Sequence, residues 1–258
     1  MIRTCTKTGL ALVTGAVTAY RVAKESYGPL GPQERGSFTE DRSGWYRYDT
    51  PGRTVYAAED ERTAFLEALS WARLTSQHAN YLEKSAEFFG IDVAALRAEV
   101  EEDWQRNGNM APGWIPANWR NGRLLYHLRF AAGSWVDIDH GDTIASLNEQ
   151  LGRELYELGV TESLTLSEIT GARRDITTLL ATWLREQVLD DGSYPLGIRF
   201  LSKHGATGQG HGHCWAFWLR RADVGLSGDP VQVEQGQEIA LNDRAYKFAL
   251  KRHGIHSR

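Results

Sequence analysis

Between Leu10 and Ala23 the chain is dominated by Val, Leu, Thr and Tyr, and the run breaks only at Gly28, Pro29, Gly31 and Pro32. That pattern predicts a buried strand leading into a polar loop that ends near Trp45. The strand carries one discordant residue, Arg21, so the fold must accommodate a guanidinium at the end of an apolar strand. Further strands are predicted at Thr54 to Ala58, at Leu124 to Phe130 and around Trp135 to Ile138. A turn from Gly192 to Gly197 delivers Ile198 to Leu201 as another, and a final strand is expected at Cys214 to Leu219, whose Trp, Ala, Phe, Trp and Leu suit a sheet interior. Helical spacing follows Asp60, an N-cap, through Phe65, Ala68, Leu69 and Ala72, which sets Glu67 beside the apolar stripe. A second helix runs from Asp92 to about Gln105 with Val93, Leu96, Val100 and Trp104 on one face, and others cover Thr143 to Leu158 and Arg174 to Leu189. Helices and strands alternate without a regular βαβ rhythm, which favours an α+β fold with a mixed central sheet and flanking helices.

The 258 residues, 41% hydrophobic and 24% charged, suit a single domain with a sizeable core. A formal charge of -4 and a pI near 6.1, with no sustained Lys/Arg stripe, make nucleic acid an unlikely partner. The cysteines, Cys5 and Cys214, form no CxxC, and a reducing, cytoplasmic setting is expected. Met1 to Ala19 resembles a short signal peptide. Its apolar stretch is brief, however, is interrupted by Thr14 and Gly15, and runs straight into Tyr20-Arg21-Val22. No other segment approaches the length of a membrane span.

Several motif-like stretches fail on their own chemistry. Ala11-Leu12-Val13-Thr14-Gly15-Ala16 looks like the start of a dinucleotide-binding strand, but Ala19 and Arg21 stand where glycines would be needed. Gly205, Gly208, Gly210 and Gly212 make a glycine-rich loop that no Gly-Lys-Ser/Thr follows, so it is not a P-loop. His204, His211, His213 and Cys214 could ligate zinc, although a polar loop accounts for them as well. Asp137, Asp139 and Asp142 suggest a calcium loop, yet Gly141 occupies a ligand position and no glutamate closes it. Glu101, Glu102 and Asp103 read as a solvated helical edge. No metal site is expected.

Three local patterns remain. Ala19-Tyr20-Arg21-Val22 ends a strand on an arginine able to fork phosphate oxygens, or equally to make a surface ion pair. Tyr48-Asp49-Thr50-Pro51-Gly52, Val55-Tyr56-Ala57-Ala58 and Phe65-Leu66-Glu67-Ala68-Leu69 can bring a strand-end tyrosine and a helical glutamate to one cleft. Gly197-Ile198-Arg199-Phe200-Leu201-Ser202-Lys203-His204-Gly205 ends a strand on a serine.

In content and order these patterns resemble the RES family, named for its Arg, Glu and Ser. The likeness begins with Tyr20-Arg21 and Gly28-Pro29-Leu30, and continues through Arg47-Tyr48-Asp49 with Pro51-Gly52, the Val-Tyr-Ala strand and Glu67. It extends to Trp119-Arg120, Arg123-Leu124, Val136-Asp137, Asp142-Thr143-Ile144 and the Ser-Lys-His-Gly turn, covering about residues 18–222. One departure is Tyr46, which stands where the family usually has glycine before its Arg-aromatic pair. The long loop before that pair is another. The resemblance implies a RES-like domain with an ADP-ribosyltransferase-like fold, in a longer branch with a helical insertion at about 75–122 and a C-terminal extension at about 223–258. It implies cleavage of the nicotinamide–ribose bond of NAD by Glu67, Arg21 and Ser202. Arg21, Tyr27, Arg47, Tyr48, Tyr56 and Ser202 would bind the NAD, with Arg21 on the pyrophosphate, Tyr56 bounding the nicotinamide and Ser202 orienting the ribose or carboxamide. It also implies a toxin held by a helix-turn-helix antitoxin.

Overall fold

A computed structural model of the protein describes residues 2–37, 40–106, 113–205, 212–226 and 228–257, the side chains of 76–79 and 104–105 aside. Gly208, Gly210 and His211 of the glycine-rich loop and Pro112 of the connector lie outside the described residues, as does the side chain of Trp104.

A short β1 (Ile2–Thr4) pairs back on β2 (Ala11–Lys24), the strand that carries Arg21. After the long loop come β3 (Thr54–Ala58) and α1 (Glu61–Leu69), whose N-terminus Asp60 caps by accepting the Thr63 N–H. Then follow α2 (Ser76–Phe89), α3 (Val93–Arg106), the short β4 (Trp114–Ile115) and β5 (Arg123–Asp137). Asp92 caps α3, accepting from the Ala94 and Ala95 N–H groups. The second half contains α4 (Gly141–Glu157), α5 (Leu166–Thr170), α6 (Arg174–Glu186), β6 (Gly197–Leu201), β7 (His213–Trp218) and α7 (Arg220–Asp223). It finishes with β8 (Val231–Val233), β9 (Gln237–Glu238), α8 (Arg244–His253) and β10 (His256–Ser257).

The central sheet is mixed, with helices packed on it. Pairing runs β2 to β3, β3 to β7 and β7 to β6, all antiparallel, then β6 to β5 in parallel. Because β5 also pairs antiparallel with β2, from Leu12–Val136 to Lys24–Arg123, the ladder returns to its start and the sheet is curled. One side of the curl holds Ala19, Val55, Leu128, Phe130, Trp135 and Phe217. The other is covered by helices through Leu66, Leu69, Leu147, Leu151, Leu180 and Leu184.

The strands expected at 124–130 and 135–138 are one strand. The Ala131-Ala132-Gly133-Ser134 segment between them has small residues that read as a break, but Gly15 pairs with Gly133 and a register shift between Gly15 and Val17 absorbs the irregularity. The first half of β5 is edged by β8 and β9, and its last residues by β6. The helix expected to reach Leu189 stops at Glu186, and the strand expected to be final is followed by more structure. Residues 244–253 are core material: Ala245, Tyr246 and Ala249 are buried, and Tyr246 stacks on Trp119 at 6.0 Å and packs on Phe65 at 5.7 Å. Among the described residues no helix is long and apolar enough to cross a membrane.

Removing so large a buried ring leaves a cavity that its neighbours cannot fill. Tyr246→Ala should therefore destabilise the protein by about 3–5 kcal/mol, measured by urea unfolding. An unchanged midpoint would mean that α8 is peripheral to the cooperative unit.

Candidate functional site

Glu67 and Ser202 meet although 135 residues separate them. The α1 N-cap and the buried Phe65, Leu66 and Leu69 fix the rotation of the helix and leave Glu67 at the edge of its buried face. Ser202 lies one residue past β6, where its N–H donates to the Gly212 carbonyl at 2.9 Å. Its hydroxyl donates to Glu67 Oε1 and accepts from the backbone N–H groups of His204, at 3.0 Å, and Gly205, at 2.8 Å. The turn closes tightly, since a Cβ on Gly205 would stand 2.7 Å from Thr63 Cγ2 and 3.0 Å from Ser202 Oγ. The serine's single proton is thus committed to the carboxylate. As folded, Ser202 orients Glu67 and has no donor left for a ribose or carboxamide. Behind the last turn of α1, His253 Nε2 lies 2.8 Å from the Leu66 carbonyl oxygen, so α8 buttresses the residue before the glutamate.

A second network gathers around Asp49. Buried Asp49 accepts from Arg35 Nε at 2.7 Å, the Tyr46 N–H at 2.9 Å and the Tyr56 hydroxyl at 3.0 Å. The Tyr56 hydroxyl in turn accepts the Tyr48 N–H at 2.9 Å. The Tyr56 ring, half-buried, packs edge-on against Tyr46 at 5.6 Å and lies 6.4 Å from Phe200, two residues before Ser202. Tyr46 itself is 66% exposed.

Arg21 stands apart from the pair. β2 and β3 share only the Tyr20–Ala58 register, and where they diverge Arg21 Nη1 donates to the Tyr56 carbonyl at 2.6 Å. Its Nε is enclosed with no hydrogen-bond partner among the described residues. Burial lowers its pKa below the ordinary arginine value, opposed only by the Tyr46 and Tyr56 phenols. A guanidinium enclosed without a carboxylate is receptive to an anion. Arg47 is similar: its Nε and Nη1 are enclosed and unpartnered, and its guanidinium lies 5.7 Å from the Tyr48 and Phe200 ring centroids.

Two residues expected to contact a ligand lie in contrasting surroundings. Tyr48 is 0% exposed, its hydroxyl donating to the Ile169 carbonyl at 3.2 Å and its ring set 4.8 Å from Phe200, so it supports the site from within the core. Tyr27 is 65% exposed on the turn after β2, with Lys24 5.4 Å above its ring. Other participants were not anticipated. Asp49 and Lys203 lie inside quoted motifs, whereas Arg174, at the start of α6, carries no local signal. It donates from Nε to the Trp45 carbonyl at 3.0 Å.

The histidines and cysteine near the glycine-rich loop are engaged separately. His213 Nδ1 lies 3.1 Å from Glu59 Oε2 and its Nε2 against Arg199, while Cys214 sits beside Ser202, its thiol pKa pushed well up by burial and by Glu67. Among the described residues no three His, Cys, Asp or Glu side chains are grouped to hold a metal.

No protein-family model and no curated protein sequence matches the chain. Among solved structures, a chain from the M. tuberculosis MbcT-MbcA toxin-antitoxin complex is similar over 93% of this chain and 91% of its own, with 10% identity and a TM-score of 0.42. At those values the reading of the site rests on its own side chains.

The tyrosine network has a pH signature. Burial raises the pKa of both Tyr48 and Tyr56 above the ordinary 10.0, with Asp49 adding to the effect at Tyr56. The unfolded chain releases these protons first, so their contribution to stability is complete below pH 10 and is lost as pH rises through the folded-state values. Unfolding midpoints should therefore fall above pH 10, and fall less steeply in Tyr56→Phe. An identical slope in the variant would remove Tyr56 from the account.

Proposed function

We propose that the protein consumes NAD by breaking the bond between nicotinamide and ribose, with water or inorganic phosphate as acceptor. The observation that carries this reading is the Glu67 carboxylate at the edge of the buried face of α1, held at Oε1 by the Ser202 hydroxyl. As the C1′–N bond breaks, its electron pair leaves with neutral nicotinamide and the ribose becomes oxocarbenium-like. A fixed anion beside it stabilises the charge that develops. When water is the acceptor, its oxygen bonds C1′ and its proton passes to solvent. Arg21, enclosed and without a carboxylate, is suited to the pyrophosphate, and the Tyr56 ring, braced by Asp49 and Tyr46, is suited to bounding the nicotinamide. A RES-like role as a toxin neutralised by a helix-turn-helix antitoxin accompanies this reading and rests on the sequence resemblance.

Incubation of the purified protein with NAD, with and without phosphate, should release nicotinamide resolvable by chromatography. ADP-ribose or its 1″-phosphate should appear as the second product. Glu67→Gln should lower turnover by about 10²–10³-fold with an unchanged unfolding midpoint. Ser202→Ala, which loosens the carboxylate without removing it, should cost less, about tenfold. No nicotinamide under either condition, or full activity in Glu67→Gln, would exclude the assignment. A mass increment on an added protein with little free ADP-ribose would redirect it to ADP-ribosyl transfer.

A further inference from the structure

Tyr46 is an aromatic residue that the fold holds in place and leaves in solvent. Its N–H donates to Asp49 Oδ2 at 2.9 Å and its carbonyl accepts the Asp49 N–H at 3.2 Å, so both of its backbone polar groups are tied to one buried residue. The buried Arg35 guanidinium, bonded to Asp49 at 2.7 Å and to the Gly44 carbonyl at 2.9 Å, lies 5.8 Å from the centroid of the Tyr46 ring. The Tyr56 ring meets it at 5.6 Å and 62°. With all of these contacts made, Tyr46 is still 66% exposed.

Arg35 and Tyr56 are each bonded to Asp49, so both reach the ring from that side and the rest of it is open. A ring already fixed in this way loses little conformational freedom when a second flat ring covers it. Tyr56 also joins Tyr46 to the candidate site, since its backbone carbonyl accepts from Arg21 Nη1 at 2.6 Å. Tyr46 stands where the RES pattern has glycine, so this ring is something the chain adds to that pattern.

We propose that Tyr46 is a stacking platform for the adenine of the bound nucleotide and gives the site a preference for a purine. Stacking on a phenol needs no hydrogen bond to the base edge, only a flat π surface held in position. The guanidinium 5.8 Å from the centroid disfavours a second cation on the same ring, which sets the neutral purine above the pyridinium of nicotinamide as the occupant. A purine also covers more of the phenol than a pyrimidine does. The platform rests on the proposed reading only in taking a nucleotide as the ligand, and it is independent of which bond is cleaved.

Calorimetric titration of the full chain with ADP-ribose, and separately with CDP-ribose, which differs only in its base, tests the platform without turnover. ADP-ribose should bind saturably and CDP-ribose about tenfold more weakly. Tyr46→Leu should weaken ADP-ribose about tenfold and CDP-ribose much less, so that the preference closes, whereas Tyr46→Phe and Tyr46→Trp, which keep a flat ring, should retain it. Equal weakening of both ligands in Tyr46→Leu would reduce Tyr46 to a brace for Tyr56 and overturn the platform. No binding of ADP-ribose, no preference between the two ligands, or a preference that survives Tyr46→Leu overturns it as well. The two readings fail separately: a Tyr46-dependent preference without nicotinamide release from NAD removes the cleavage and keeps the platform, and nicotinamide release without the preference does the reverse.

Discussion

The antiparallel ladder between β2 and β5 is the contact on which the remaining architecture depends. It runs from Leu12–Val136 to Lys24–Arg123, and its two strands hold opposite ends of the circuit that β3, β7 and β6 complete. Registered this way, β2 lays Leu12 into the helix-covered core and Ala19 into the other. A one-residue slip would exchange the two faces. With the ladder fixed, β3 can join β2 at a single pair and then leave it, and the backbone of β3 at that divergence supplies the acceptor for the Arg21 guanidinium.

The polar groups near this opening are held by two independent means. Glu67 is oriented across the fold by a hydroxyl that two backbone N–H groups also hold, so the carboxylate does not need a cation to keep its position. The tyrosine network is organised through Asp49, one buried carboxylate satisfied by a guanidinium, an amide and a phenol. This division matters electrostatically: Glu67 and Asp49 are hydrogen-bonded elsewhere, and the enclosed Arg21 Nε and Arg47 Nε and Nη1 keep no hydrogen-bond partner among the described residues.

Much of this was legible in the sequence where a local rule governed the outcome. Asp60 is followed by helical spacing, and it caps α1; Thr54 to Ala58 is rich in strand-favouring residues, and it is β3 to the residue. The glycine-bounded run ending at Ser202 delivers a strand and a turn as expected. The misreadings arise where a distant partner decides. Small residues from 131 to 134 look like a break until β2 is seen to pair across them. Tyr48 sits in a loop, which suggests access to solvent, but Phe200 and the Ile169 carbonyl enclose it. Arg174 opens an ordinary amphipathic helix, and only the path of the 45–47 segment brings it beside Arg47.

The His253 contact with the Leu66 carbonyl has a consequence for the order of synthesis. The α1 helix emerges from the ribosome well before its partners: the serine that orients the carboxylate lies 135 residues after Glu67, and the histidine behind the helix 187 residues after Leu66. A nascent chain that has exposed α1 but not α8 lacks the aromatic and imidazole groups that brace the last turn of that helix. The contacts that direct the carboxylate therefore form only after Ser202 and α8 have been translated, and any chemistry that needs that direction waits for them.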